Sequence, residues 1–317
     1  MNYPFKLFTF SISVILFVIT ACEKKEYQTI EELDQENILA YIQENSLNVE
    51  PFEETGMYYQ VLEEGTGKEL DYTDKVPLVY TFKTLEGSYN AVDTFNVSNR
   101  YYDYLGYFPY GSSQADASGT LLDREEGMKM IIKKVLKKAH GKIRVIVPSR
   151  MAFGRNGNKL IPSNASLDYV IHAIDTDSLA SYEDESIEQY IQSNGLQLSD
   201  FQKTATGVYY EIIDAGSGTP ITDTTSFKVN YSIKTLNGNS VTTVDSAAIE
   251  LRSANTIDGW KEVLPKLKAN GKVRMLIPSS EAYGLGGVID DNNIVRIPPF
   301  SALDYDLQIV EVTEPST

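Results

Sequence analysis

Alternating apolar side chains mark strands in three separate stretches of this chain. In Phe227–Ile233 (FKVNYSI) every odd-numbered position is apolar or aromatic, and Leu303, Tyr305, Leu307 and Ile309 alternate with Asp304, Asp306 and Gln308. Val76, Leu78, Tyr80 and Phe82 set the same pattern earlier. A period of two puts such residues on one face of a sheet. Helical spacing lies between the strands. Met128, Ile131, Ile132, Val135, Leu136 and Ala139 fall on one helical face, and Lys137, Lys138 and His140 crowd its C-terminal end before Gly141. Ile257, Trp260, Val263, Leu264 and Leu267 do the same, with Pro265 ending the regular helix near Leu264. Short amphipathic helices are expected over 29–46 and 183–194. Strands, one helix, then strands is an α+β pattern: an antiparallel sheet wrapped over a helix.

The pattern occurs twice because the sequence repeats. Ala40–Leu47 (AYIQENSL) returns as Gln189–Leu196 (QYIQSNGL) at an offset of 149. Thr55–Tyr59 (TGMYY) returns as Thr206–Tyr210 (TGVYY), and Gly65–Gly67 as Gly216–Gly218, both at 151. Gly141-Lys142 matches Gly271-Lys272 and Ala152–Gly154 matches Ala282–Gly284, now at 130. Leu167–Tyr169 (LDY) matches Leu303–Tyr305 at 136. Matches in constant order with shifting offsets predict a duplicated domain, 29–178 and 179–317. The first copy carries an insertion within 96–129, the second a longer loop near 285–296. The join falls in the acidic stretch 176–185.

The N-terminus reads differently. Lys6 precedes an apolar run, Leu7–Ile19, too short for a membrane span and suited to a signal-peptide core. It ends in Ile19-Thr20-Ala21-Cys22, which resembles the lipobox of bacterial lipoproteins, with charge starting at once in Glu23, Lys24, Lys25 and Glu26. The expectation is a signal peptide over 1–21, a lipidated Cys22, and a tether over 22–28. An uncleaved anchor helix is the alternative. Cys22 is the single cysteine, so disulfides, thiol catalysis and thiolate metal sites are excluded once it is lipidated. The net charge of −16 argues against nucleic acid. His140 and His172 are the two histidines and make no metal site. Asp290, Asp291, Asn292 and Asn293 lack calcium-loop spacing and read as a solvated turn. No cofactor is expected.

The second copy carries, in order, Gly207–Tyr210, Val229–Tyr231, Val244–Ser246, Ile257–Trp260 (IDGW), Gly271-Lys272, Ile277-Pro278, Ala282–Gly284 (AYG), Ile297–Pro299 (IPP) and Leu303–Asp306 (LDYD). This ordered set resembles the FKBP-type peptidyl-prolyl cis–trans isomerases over roughly 205–313. The first copy, roughly 54–175, resembles them only through the repeat. The resemblance implies two domains, each an antiparallel half-barrel sheet curled around a short helix, with an aromatic pocket between sheet and helix. Trp260 would be its floor and Tyr231 and Tyr305 its walls. Ile257 would offer its N–H and Tyr283 its hydroxyl to substrate carbonyls. Asp245 would be the buried polar member, and Val244 and Ile297 would contact the substrate, Ile297 at the rim. The family usually has phenylalanine at Val244, an aromatic near Ala247 and phenylalanine at Tyr305, so a wider pocket is expected, and the Tyr305 hydroxyl needs a partner.

The chemistry suits a chain poor in nucleophiles. Amide rotation has a barrier of about 18–20 kcal/mol, and lowering it needs an apolar pocket and fixed donors rather than a base or metal. In the first copy Met130 is expected at the Trp260 position, Phe153 replaces Tyr283 and Ser163 the second proline, while Tyr80, Asp93 and Tyr169 remain. That copy is expected to be weakly active or inactive. Tyr101, Tyr102, Tyr104, Tyr107, Phe108 and Tyr110 in the insertion either fold onto their own domain or form a client surface. The function expected is isomerisation of proline-containing, exported polypeptides. The chain is expected in the cell envelope, lipid-anchored to the outer membrane and facing the periplasm. The alternative is a non-catalytic peptide- or partner-binding lipoprotein.

Overall fold

The computed structural model describes residues 28–90, 99–108, 126–292 and 294–313. The expected signal peptide, Cys22, most of the tether, Asp93 and Tyr110 lie outside the described residues.

The chain opens with helix α1 (Ile30–Glu44), started by a capping box in which Thr29 and Glu32 satisfy each other's backbone N–H. Strands β1 (Glu50–Phe52), β2 (Met57–Glu63), β3 (Lys75–Thr84) and β4 (Asn99–Tyr104) follow, then helix α2 (Glu126–Ile131), β5 (Lys142–Val147) and β6 (Leu167–Ala173). Helix α3 (Leu179–Ser193) begins the second half. It leads into β7 (Gln202–Lys203), β8 (Tyr209–Asp214), β9 (Ser226–Thr235), β10 (Ser240–Glu250) and helix α4 (Asp258–Val263). Then come β11 (Lys272–Ile277), the short hairpin β12 (Val288–Ile289) and β13 (Val295–Ile297), and β14 (Leu303–Thr313).

Each half builds a six-stranded sheet, β1-β2-β5-β6-β3-β4 and β7-β8-β11-β14-β9-β10, and the two strand orders are the same. Every pairing is antiparallel. One core cluster lies under each sheet, around Met128, Ile131 and Ile132 in the first and Trp260, Val263 and Leu264 in the second. The alternating positions Phe227, Val229 and Ile233 point into that second core, as a period of two requires.

Three expectations change. Residues 99–104, expected inside an insertion, are strand β4, paired with β3 where β10 pairs with β9. A tyrosine-rich stretch (NRYYDY) shows no alternation, so the strand could not be read. The join at 176–185 is a 3-10 turn running into α3, with only its first residues acting as a linker. The first copy's core helix stops at Leu136 after a π-helical stretch, Ile132–Leu136, and Lys137 turns left-handed (φ 64°), so Ala139 lies beyond it.

Both opening helices are held by the same side chains. The Tyr41 hydroxyl donates to Asp168, which also takes two bonds from Arg144; Tyr190 donates to Asp304, which takes two from Arg274. Asp168 and Asp304 are 3% and 2% exposed; losing Arg274 would leave buried Asp304 short of its cation, while Asp168 keeps Lys83 at 4.0 Å. Asp34 on α1 accepts from Ser149 and Ser166, and Glu183 on α3 accepts from the amide and hydroxyl of Ser279.

The second half's extra loop is the β12–β13 hairpin. Gly157 and Gly287 enter the two loops at φ 55° and 63°, and a Cβ there would come within 2.3 Å of the Ile161 carbonyl or 2.2 Å of the Ile297 carbonyl. Only glycine fits either turn. The longer path from Gly287 to Ile297 holds the hairpin.

Candidate functional site

Helix α4 starts after Ile257, whose backbone is extended and whose carbonyl accepts the Trp260 amide. Gly259 lets the helix lie against β11: a Cβ would come 2.7 Å from Ile277 Cγ2. This contact delivers Trp260 under the sheet at 5% exposure. Tyr231 on β9 meets it edge-on at 5.1 Å and Tyr305 on β14 at 5.7 Å, both near 80°. Tyr231 and Tyr305 lie 6.3 Å apart. Such edge-to-face rings gain beyond the area they bury.

Tyr283 stands over this triad, 36% exposed, at the start of the 3-10 turn Gly284–Gly286. The Tyr305 hydroxyl donates to the Tyr283 hydroxyl at 3.4 Å, a long bond but the partner that Tyr305 needed. A phenol that accepts one bond still has its own proton to give. Burial pushes the phenols of Tyr231 and Tyr305 up, so the walls stay neutral. Among the described residues the Ile257 N–H has no hydrogen-bond acceptor, and Trp260 Nε1 is buried without one. The cluster therefore combines apolar faces, a phenolic donor at its mouth and two uncommitted N–H groups. It can hold a ring such as proline and donate to an adjacent carbonyl.

Two expected members sit elsewhere. Asp245 is exposed, not buried. The β9–β10 register breaks between Val244 and Ala247, Ser246 turns to φ 55° and its amide bonds Asn230 Oδ1. This bulge leaves Asp245 beside Asn230, Ser232 and Thr243 on the groove lined by the sheet's other face. Ile297 is 3% exposed within the core, locked by pairing with Val288, so it backs the wall rather than forming a rim. Val244 pairs with Tyr231 and is half-buried beside the triad.

In the first half, Tyr80 and Tyr169 lie 6.4 Å apart, like Tyr231 and Tyr305. The floor position is a correction. Glu126-Gly127-Met128-Lys129 matches Asp258-Gly259-Trp260-Lys261, and Met128 is fully buried, as Trp260 nearly is, whereas Met130 is half-buried. Met128, rather than Met130, stands opposite Trp260. The offset of 130 holds only after the helix, where Lys137 and Leu267 each accept an amide from Leu70 and Ile221. The π-helical stretch takes up two further residues, where the second half has the 3-10 turn Leu264–Lys266. Phe108 also enters this cluster, 2% exposed, edge-on to Tyr80 at 5.7 Å and to Tyr101 at 4.9 Å. Phe82 stacks on Tyr169 and Phe153. Of the aromatics in 96–129, Tyr101 and Phe108 fold inward while Tyr107 is 72% exposed.

A groove of about 1320 Å³ lies between α1 and the β1–β2 hairpin and holds Glu31, Glu32, Glu36, Glu53 and Glu54 with Arg150, but no aromatic cluster. Among the described residues no group of three His, Cys, Asp or Glu could hold a metal, and no helix is long and apolar enough to cross a membrane.

Residues 218–310 match the model of the FKBP-type peptidyl-prolyl cis-trans isomerase family. The chain is 31% identical over 129 residues to the FKBP-type peptidyl-prolyl cis-trans isomerase FkpA of Escherichia coli, covering 39% of this chain and 43% of that protein. It is 27% identical over 129 residues to the FKBP-type 22 kDa peptidyl-prolyl cis-trans isomerase of E. coli, covering 39% and 58%. It thus spans about half the length of these relatives. Among solved structures, E. coli FkpA matches at TM-score 0.35 and 24% identity, covering 43% of this chain and 62% of that one. A peptidyl-prolyl cis-trans isomerase from Pseudomonas syringae matches at TM-score 0.36 and 21% identity, covering 44% and 97%. Over residues 218–310 the chain is thus similar to the FKBP-type peptidyl-prolyl cis-trans isomerases.

Proposed function

We propose that this chain is a peptidyl-prolyl cis–trans isomerase that assists exported proteins in the cell envelope, with 179–317 as its catalytic domain. The observation that carries this is the Trp260–Tyr231–Tyr305 triad under the Tyr283 hydroxyl. Proline packs on the indole, the rings exclude water, and Tyr283 with the Ile257 N–H donates to carbonyls flanking the bond. Excluding water favours the twisted amide, whose carbonyl is less polar than the planar one. No group gains or loses a proton, consistent with neutral walls.

The two halves are a duplicated pair in this proposal, supported by the repeated motifs and by equal strand orders. The first, 29–178, is weakly active or inactive. The chain is anchored through lipid on Cys22, at the outer membrane facing the periplasm, a placement supported by Ile19-Thr20-Ala21-Cys22 alone. A peptide-binding module without turnover is the second reading, favoured by the outward turn of Asp245.

The test is a proline-isomerisation assay on residues 23–317. Acceleration of a proline peptide over its uncatalysed rate is expected; binding without acceleration would transfer the proposal to the binding module. In cells, Cys22→Ser should leave the membrane fraction, and a salt-resistant membrane pellet of the variant would refute the lipid anchor.

A further inference from the structure

The turn that carries Tyr283 is linked to the other half of the molecule through Phe300. Arg100, on β4 of the first half, is 7% exposed, and its guanidinium donates to the carbonyl of Phe300 in the second half. It lies over the Phe300 ring at 4.8 Å and near the Tyr182 ring of α3 at 5.9 Å. Phe300 is fully buried, and its amide donates to the Gly284 carbonyl at 3.1 Å. Gly284 is the residue after Tyr283. On the other side, Glu183 of α3 binds the amide and hydroxyl of Ser279, where the turn leading into Tyr283 begins. The positive charge of Arg100 faces that buried carboxylate and favours its ionised form. An apolar patch of Val79, Ile174, Leu179 and Phe300, with Tyr102 and Leu285 against it, completes the seam.

We propose that Arg100 is a positioning residue for Tyr283, so that the first half serves as a strut for the site of the second. Of the two anchors of the Ser279–Gly284 segment, Phe300 is bonded and stacked by the Arg100 guanidinium and Glu183 feels its charge. Among the described residues the Tyr283 hydroxyl has one bond, a long one to Tyr305, so it relies on that segment for its place over the triad. A planar fork that donates, stacks and carries charge does this together; lysine keeps the charge and a donor but loses the planar face. The role rests on the isomerase assignment, and it gives the first half a task even where its own aromatic cluster is filled.

The experiment is a double-mutant cycle in residues 23–317, with Arg100→Ala, Tyr283→Phe and both together, measuring kcat/KM on a proline peptide. Binding is read separately from fluorescence, since Trp260 is the chain's one tryptophan. Each single variant should lose activity several-fold, about what one neutral hydrogen bond supports. The double variant should lose no more than Tyr283→Phe, because the strut acts through that hydroxyl. Arg100→Lys should fall between wild type and Arg100→Ala. Losses that simply multiply, or wild-type kcat/KM in Arg100→Ala, would overturn the proposal. Should Arg100→Ala fail to fold, Arg100→Met with Glu183→Gln removes both charges at similar volume and enters the cycle instead. If the wild-type chain binds the peptide without accelerating it, the isomerase assignment has failed on its own, and the same cycle is scored in Kd.

Discussion

The two halves fold one sheet order around one helix, yet they differ in what fills the space between helix and sheet. In the second, a tryptophan lies under two tyrosines and a third tyrosine stands over them, partly in solvent. In the first, a methionine takes the floor, Phe108 packs edge-on against Tyr80, and Phe153 stacks with Phe82 where the donor would be. The first cluster has aromatic rings above its methionine floor, but Phe153 brings no hydroxyl and Phe108 occupies space beside Tyr80. A fold that needs only apolar volume tolerates either filling. Binding a peptide needs room and donors, which the same backbone supplies only when the side chains leave them free.

Removing the filler tests this contrast most severely. Phe108→Ala should cost about 3–5 kcal/mol, the usual toll of truncating a buried phenylalanine, with Phe108→Leu a milder version. The loss should be seen in the melting of the first half. Turnover should not rise, because Phe153 still supplies no hydroxyl. A large gain in isomerase rate from either variant would mean that the first half holds a second site which Phe108 plugs, and the contrast would break.

The carboxylates that fasten the opening helices provide a smaller test. Glu183 is pushed up to about 7 by burial, against the opposing pull of Arg100 and the Ser279 bonds. The folded chain therefore keeps a proton that the unfolded chain releases near its ordinary value of 4.5. Stability contributed at this site is full below that value, falls as pH rises toward 7, and levels off above. At about 1.4 kcal/mol per unit, the loss is of the order of 3 kcal/mol. Glu183→Gln should flatten the melting temperature between pH 5 and 8 relative to wild type. Parallel profiles for the two proteins would show that Glu183 is not the group responsible.

Much of this architecture was legible because periodicity and repetition are local signals. The strands carrying Tyr231 and Tyr305, the helix carrying Trp260 and the turn carrying Tyr283 all follow from short ordered motifs. What stayed hidden depends on geometry that a string does not carry. The bulge at Asp245–Ser246 turns a carboxylate outward while the motif reads on unchanged. A π-helical stretch shifts the register by two, so a constant offset picked Met130 over Met128, although Gly127-Met128 beside Gly259-Trp260 held the signal. The aspartates of the two Leu-Asp-Tyr motifs looked like polar alternation and prove to be buried clasps for helix tyrosines. Arg144 and Arg274, equally spaced from the repeated glycines, were the clue to them. Arg100 had no clue, since its partners Tyr182 and Phe300 lie 82 and 200 residues away.

The finest distinction between the halves is a single oxygen, and it yields the smallest effect. Tyr283→Phe makes the second half resemble the first at one atom, matching Phe153. The ring is 36% exposed and keeps its packing, and its hydroxyl has one bond, at 3.4 Å from Tyr305. Losing so long a bond should hardly move the melting temperature, but it also leaves the buried Tyr305 hydroxyl without that acceptor. A neutral hydrogen bond is worth about 0.5–1.5 kcal/mol, so kcat/KM should fall several-fold, not to the background rate. Tyr305→Phe separates the two contributions, because it removes the internal bond and leaves Tyr283 free to donate. Activity should then stay within about twofold of wild type if the Tyr283 proton acts on the peptide. Equal losses in both variants would mean that the tyrosine pair is needed for its own bond, and that the donor to the substrate lies elsewhere, the Ile257 N–H being the next to examine.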